Sequence, residues 1–243
     1  MSDNPRPAFY ALRPGGWRDY VTLLHPPYTL WHLSYVALGA ALAPRMRWGV
    51  LGWTALAFAL ALGVGAHALD ELRGRPLGTR IPDRVLAGLA ALSVGGACAI
   101  GIAVAAGSTW WLLAFVTAGA FLVAAYNLEL LGGAFHTDLW FAGAWGAFPV
   151  LTAFFASAHR LRGEALAAAA FAFLASWAQR RLSTQVRFVR RRVARVEGRV
   201  ELRDGSAAPV DAELLARAPE AALQALAAAM VLLAGAALLV RAA

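Results

Sequence analysis

Apolar residues in this chain form seven long runs separated by short polar segments. The runs are Tyr28–Ala43, Trp48–Asp70, Val85–Ala106, Trp110–Asn127, Leu139–Ala156, Ala165–Leu182 and Ala221–Val240. A helix needs about 20 mostly apolar residues to cross a bilayer, and these runs approach or reach that length. The pattern predicts an all-α fold: a polytopic transmembrane helix bundle of about seven spans, with residues 1–243 as a single integral membrane domain. Residues 1–27 form an N-terminal segment. Within it Trp17–Leu24 is mildly amphipathic and expected at the membrane interface, and His25-Pro26-Pro27 turns the chain inward. Residues 183–219 form a basic cytosolic loop. The sixth helix is expected to run on through Arg180–Arg195. Gly198–Gly205 then alternates polar and apolar residues and ends in Asp204-Gly205, as in a small hairpin.

Composition agrees with this picture. The chain is 60% hydrophobic with a mean hydropathy of +0.59, far too apolar for a soluble domain. Its net charge is +8 and every basic residue is arginine. Five arginines, Arg45, Arg47, Arg160, Arg162 and Arg241, fall on one membrane face and the other 17 of the 22 on the opposite face. By the positive-inside rule the arginine-rich face is cytoplasmic. The expected location is the plasma (inner) membrane, with the N-terminus in the cytoplasm. The charge points to anionic lipid or an anionic substrate as partner; nucleic acid is not expected, because the charge sits in loops between spans. Pro5, Arg6 and Pro7 stand where a signal peptide would need an apolar core. The lone Cys98 lies in an apolar run and gives no disulfide framework. Gly63, Gly65, Gly95, Gly96, Gly143 and Gly146 punctuate the helices and allow close packing in lipid.

Candidate chemistry gathers at span ends on the arginine-rich face. His67, Asp70 and Glu71 close the second span at i, i+3 and i+4, so they share one helix face. Tyr126, Asn127 and Glu129 end the fourth span, and His136 and Asp138 open the fifth. Ionisable groups at such depth usually face a polar cavity. His67, Asp70, Glu71, Glu129, His136 and Asp138 together offer a ligand set for a divalent metal. Carboxylates favour Mg²⁺, and imidazoles move the preference toward Zn, Mn or Fe. Asp70 and His67 are the expected catalytic pair. Arg180 and Arg181, at the end of span six, are placed to clamp a diphosphate bidentately; Arg187 is two turns further on, on nearly the same face as Arg180, while Arg191 and Arg192 are expected in the solvated run beyond. His32 is read as a hydrogen-bonded interior residue and His25 as interfacial.

The order of these features resembles the UbiA superfamily of intramembrane prenyltransferases. Three places carry the resemblance: Tyr20-Val-Thr-Leu-Leu-His-Pro-Pro27 with Gly39 in the next helix; His67-Ala-Leu-Asp70-Glu71 followed by Arg80-Ile-Pro82; and Tyr126-Asn127 followed by Trp145-Gly-Ala-Phe-Pro149. The resemblance spans about residues 15–195. It implies helices around a lipid-open cavity with a polar cap, Mg²⁺ held by aspartates, and an isoprenoid diphosphate whose prenyl group passes to an acceptor. It also implies that Tyr126, Asn127 and Arg80 help to bind substrate. Two departures stand out. The second aspartate-rich motif is missing, since Gln179–Arg187 contains no carboxylate. Seven spans replace the family's usual nine.

Three functions follow as expectations. The first is a divergent prenyltransferase-like enzyme in which arginine charge takes the place of a second metal. The second is a His/carboxylate metal-dependent lipid enzyme. The third is a non-catalytic lipid-binding or assembly protein on the same scaffold. The acceptor, the isoprenoid length and the oligomeric state are not encoded in any motif.

Overall fold

The computed structural model describes residues 7–243. Met1–Arg6, including Pro5 and Arg6, lie outside the described residues. The chain is 74% helical, which fits the all-α reading. Its elements are α1 (Trp17–Leu23), α2 (Pro26–Leu42), α3 (Trp48–Leu72), α4 (Asp83–Ala106), α5 (Leu112–Asn127), α6 (Asp138–Ala158), α7 (Gly163–Arg192), the strands β1 (Gly198–Glu201) and β2 (Ala207–Val210), and α8 (Ala212–Ala242). Four of these, α3, α4, α6 and α8, are long and apolar enough to cross a membrane. The 17-residue α2 and the 16-residue α5 are shorter. In α7 an alanine-rich half is followed by an arginine-rich one.

Helix α2 is the hub. Pro26 and Pro27 occupy its first turn, where a missing N–H costs nothing. Trp31 and Tyr35, both fully buried, pack against Val150 of α6, Ala169 and Ala172 of α7, and Ala227 and Met230 of α8. The polar tips in this core are satisfied: Trp31 Nε1 donates to Tyr35 Oη at 2.5 Å, and Ser176 Oγ donates to the same oxygen at 3.2 Å. Glycine sets two of the helix spacings. A Cβ on Gly39 would meet the main chain of Val150, and one on Gly146 would meet that of Ala172. A second cluster joins α3, α5 and α6 through Leu62, Ala66, Val123, Tyr126, Ala144 and Trp145.

Two helices are not regular. Ala59–Ala66 in α3 and Ala142–Ala147 in α6 wind as π-helix. Such segments are rare and concentrate at functional sites. Both are rich in Gly and Ala.

The polar segments are also built. The hairpin is present, with β1 and β2 antiparallel and Asp204 accepting from the N–H and hydroxyl of Ser206 at the turn. The last helix begins at Ala212, well before the apolar run at 221. Asp211 caps it by accepting from Leu214 N at 2.7 Å, and Arg190 on α7 bonds Glu213 and Glu220 on α8. Those ion pairs hold the arginine-rich end of α7 and the first turns of α8 together, so the 183–219 segment is two helix ends and a hairpin rather than an open loop.

Candidate functional site

A polar cavity of about 250 Å³ opens at the end of the bundle where α2, α3, α5, α6 and α7 meet. Four expected residues reach it from two helices: His67 and Asp70 of α3, and Tyr126 and Asn127 of α5. His136 and Arg180 complete the set. The lining also includes Arg187, on nearly the same helix face as Arg180, and residues not expected there: His25, His32, Gln179 and Arg191. Residues 7–10 fold over the mouth. Tyr10 packs edge-on against Tyr28 at 5.5 Å and lies 5.2 Å from the His25 ring. The Pro7 carbonyl accepts from Arg191 Nε at 3.2 Å.

The arginine wall comes from helix geometry. Arg180, Arg187 and Arg191 stand at i, i+7 and i+11 on α7, which puts them on one face. Arg180 is only 14% exposed. It is braced by Asp138 at 3.2 Å, by His136 Nε2 at 3.3 Å and by the Phe141 ring, 5.4 Å from the guanidinium carbon. Arg187 has no carboxylate partner among the described residues and donates only to Thr184 Oγ1 at 3.1 Å. Burial, then the charges of Arg180 and Arg191, lower its guanidinium to about 10. A cation in that state gains from a bound anion. Arg181 is 68% exposed, pairs with Asp138 from outside and does not line the cavity. The inward partners of Arg180 are therefore Arg187 and Arg191, the latter expected in solvent.

Several of the expected ligands are committed elsewhere. Glu71 is fully buried, yet both its oxygens serve the following loop: they accept from Leu77 N at 3.0 Å and from Thr79 N and Oγ1 at 2.8 Å each. Glu129 pairs with Arg73 at 3.0 Å on the surface, where Arg73 also donates to the Leu128 carbonyl. Asp138 braces Arg180. Arg80 is exposed, and its main-chain N–H donates to the buried Asp19 at 2.9 Å. Glu71, Glu129, Asp138, Arg80 and Arg181 all lie outside the cavity lining. Asp70 is the one carboxylate within it. Among the described residues no three His, Cys, Asp or Glu side chains assemble into a metal-holding group.

The imidazoles have a consistent arrangement. His32 Nδ1 lies 2.9 Å from the Trp145 carbonyl and His67 Nδ1 lies 3.1 Å from the Gly63 carbonyl. A carbonyl only accepts, so each Nδ1 carries the hydrogen. Trp145 and Gly63 each belong to one of the two π-helical segments. His136 Nδ1 likewise donates to the Tyr126 carbonyl at 3.1 Å. His32 was legible only as an interior residue because its partner is 113 positions away.

A second, almost wholly apolar cavity of about 110 Å³ lies deeper, between α3, α4, α5 and α6, with Val94, Cys98, Val116 and Phe148 in its wall. Leu62 and Trp145 line both cavities, so the polar and apolar chambers meet at these two side chains. Against known proteins, no family model, curated protein or solved structure matches this chain.

Proposed function

We propose that this protein is a membrane-embedded, prenyltransferase-like enzyme that binds an isoprenoid diphosphate and passes its prenyl group to an acceptor. The observation that carries this reading is the pairing of three inward arginines with an adjoining apolar chamber across Leu62 and Trp145. An anionic head on a hydrocarbon tail matches both halves, and the tail enters the membrane side of the site. The resemblance of residues 15–195 to the UbiA superfamily supports the same chemistry. In this reading the bundle has seven spans, with α2, α5 and the first half of α7 joining the four longer ones. It lies in the plasma (inner) membrane with its N-terminus in the cytoplasm, as the arginine asymmetry favours.

Asp70 alone offers a carboxylate to Mg²⁺ in this cavity. That fits an ion that takes its other ligands from water and substrate phosphates, and it does not fit two metals held by aspartates. A bound Mg²⁺ would offset part of the phosphate charge. The chain itself does the rest. Arg180, Arg187 and Arg191 bind the diphosphate and stabilise it as the C1–O bond breaks and the electron pair leaves with it. The apolar chamber keeps water from the allylic cation. The acceptor then bonds to C1 and gives up a proton.

The test is titration of geranyl S-thiolodiphosphate, which resists cleavage, into the full-length protein in lipid nanodiscs. Saturable binding that weakens in Arg187→Ala is expected. Absence of binding by the parent protein would overturn the proposal. The missing second aspartate motif favours one other reading, lipid binding without transfer. Binding of the analogue with no turnover of the cleavable diphosphate, across a panel of acceptors, would select it.

A further inference from the structure

Helix α1 is turned inside out. Its polar side chains Asp19 and Thr22 are buried, while Trp17, Tyr20 and Leu24 are 67%, 43% and 38% exposed. These three stand at i, i+3 and i+7 and form one outward face. A helix on a water-facing surface shows the opposite pattern. The inward polar groups have partners. Asp19 accepts from Gly15 N at 2.8 Å and from Arg80 N at 2.9 Å, and Thr22 Oγ1 accepts from Leu12 N at 3.0 Å. Beside them Leu23 packs on Ala68 of α3, on Ile81, and on Leu86 and Ala90 of α4. The helix is therefore fixed to the bundle by its polar side. It also roots the strap of residues 7–10 over the polar cavity.

Arginines flank the outward face. Arg18 lies over the Trp17 ring, 5.8 Å from its centroid. Arg80 is held beside α1 by the bond from its main chain to Asp19. Arg84 opens α4 next to Leu86, which packs on Leu23. All three are exposed, and among the described residues none has an ion-pair partner. The carboxylate adjoining Arg84, that of Asp83, is taken by Arg75. An apolar stripe carrying Trp and Tyr thus adjoins three cationic groups that nothing nearby neutralises.

We propose that the outer face of α1, with Arg18, Arg80 and Arg84, is a docking surface for anionic phospholipid at the membrane interface. Trp17, Tyr20 and Leu24 enter the boundary between headgroups and acyl chains, where amphipathic aromatic rings are favoured. The guanidiniums stay at headgroup level and bind phosphate. Charge decides which lipid is taken. A zwitterionic headgroup carries its own cation, which three unpaired arginines repel; an anionic headgroup carries none. The surface does not depend on the transfer chemistry proposed above, so loss of diphosphate binding leaves it standing.

The experiment uses the full-length protein in phosphatidylcholine nanodiscs, with a bimane label on Tyr20→Cys in a Cys98→Ser background. Spin-labelled phosphatidylglycerol or spin-labelled phosphatidylcholine is added at matched mole fractions, each with the nitroxide near the glycerol end of one acyl chain. Both lipids should quench the label, and the phosphatidylglycerol should do so at about fivefold lower mole fraction. Replacing Arg18, Arg80 and Arg84 together by Gln should bring the two lipids to within about twofold of each other. Replacing the same three by Lys should keep most of the preference, because the surface reads charge. Arg45→Gln, on the opposite membrane face by the arginine asymmetry, should change nothing. Unfolding temperatures equal to the parent's report that the variants fold. A label that neither lipid quenches would overturn the proposal, since α1 would then face water or a protein partner. Equal quenching by the two lipids in the parent would overturn it as well, as would a preference that survives the triple Gln substitution.

Discussion

Glu71 and Thr79 are joined twice: one carboxylate oxygen of Glu71 accepts both the main-chain N–H and the hydroxyl of Thr79, each at 2.8 Å. The other oxygen takes Leu77 N. This buried carboxylate therefore organises the turn after α3, where Arg75, in a left-handed conformation, also ties down the Thr79 and Ile81 carbonyls. Glu71→Ala would strand three donors, at a cost of roughly 3–5 kcal/mol. Glu71→Gln keeps one acceptor and should cost about 2 kcal/mol. Thermal unfolding in detergent checks this. Asp70→Asn, next to it but unpartnered among the described residues, should leave the unfolding temperature almost unchanged. If Asp70→Asn destabilises as much as Glu71→Ala, the division of labour between the two neighbours is wrong.

Two glycines are expected to reverse the usual effect of alanine. In an open helix position Gly→Ala stabilises by roughly 0.5–1 kcal/mol. At Gly146 the new Cβ would press on the Ala172 main chain and lie 2.8 Å from Ser176 Oγ; at Gly39 it would lie 3.0 Å from Val150 Cα. Neither backbone can yield without separating helices, so each substitution should cost roughly 1–3 kcal/mol. Gly49 and Gly88 meet nothing within 4 Å and serve as controls. The readout is the unfolding temperature of the four variants, with Gly39→Ala and Gly146→Ala below the parent and the controls at or above it.

How much of this was legible in the chain follows from how local each cause is. Hydrophobic runs gave the helices to within a few residues, because span length and apolar content are local. Asp204-Gly205 gave the hairpin turn for the same reason. The start of α8 at Ala212 was missed because ion pairs from Arg190, over 20 residues earlier, hold its polar first turns. At the site, His67, Asp70 and Tyr126 were legible from their places at span ends. Glu71 was not separable from Asp70, since only the path of the 73–79 turn decides which carboxylate it uses. The spacing of Arg187 from Arg180 placed the two on one helix face; Arg191 was legible in principle by the same repeat, obscured by the density of arginines around it. The π-helical segments carry no pattern in the sequence beyond small residues.

The seven-span orientation has its own test. In a Cys98→Ser background, cysteines replacing exposed Arg84 and exposed Ser206 should resist a membrane-impermeant thiol reagent in intact cells, while Arg160→Cys should react. Labelling of Arg84→Cys or Ser206→Cys from outside would place the polar cavity on the wrong face for a cytosolic diphosphate. Failure of Arg160→Cys to react would argue that the chain between α6 and α7 does not reach the far side.

The arginines of α7 divide into two sets that mutation should separate. Arg180 and Arg187 face the cavity; Arg181 and Arg192 face away and are exposed. A charge-assisted hydrogen bond contributes roughly 1.5–3 kcal/mol, so Arg180→Ala and Arg187→Ala should each weaken thiolodiphosphate binding by about 10- to 150-fold. Arg187→Ala should have the larger effect of the two, because Arg187 has no carboxylate partner among the described residues, whereas Arg180 shares its charge with Asp138. Arg181→Ala and Arg192→Ala should change affinity less than threefold, within the range of a screened surface charge. The difference between the sets should persist without Mg²⁺, since a one-carboxylate site leaves most of the phosphate charge to the guanidiniums. Asp138→Asn adds a directional check: it removes the brace from Arg180 and frees its charge, so any loss of affinity reports positioning rather than charge. Equal affinities across all four arginine variants would show that the α7 stripe does not bind the head group.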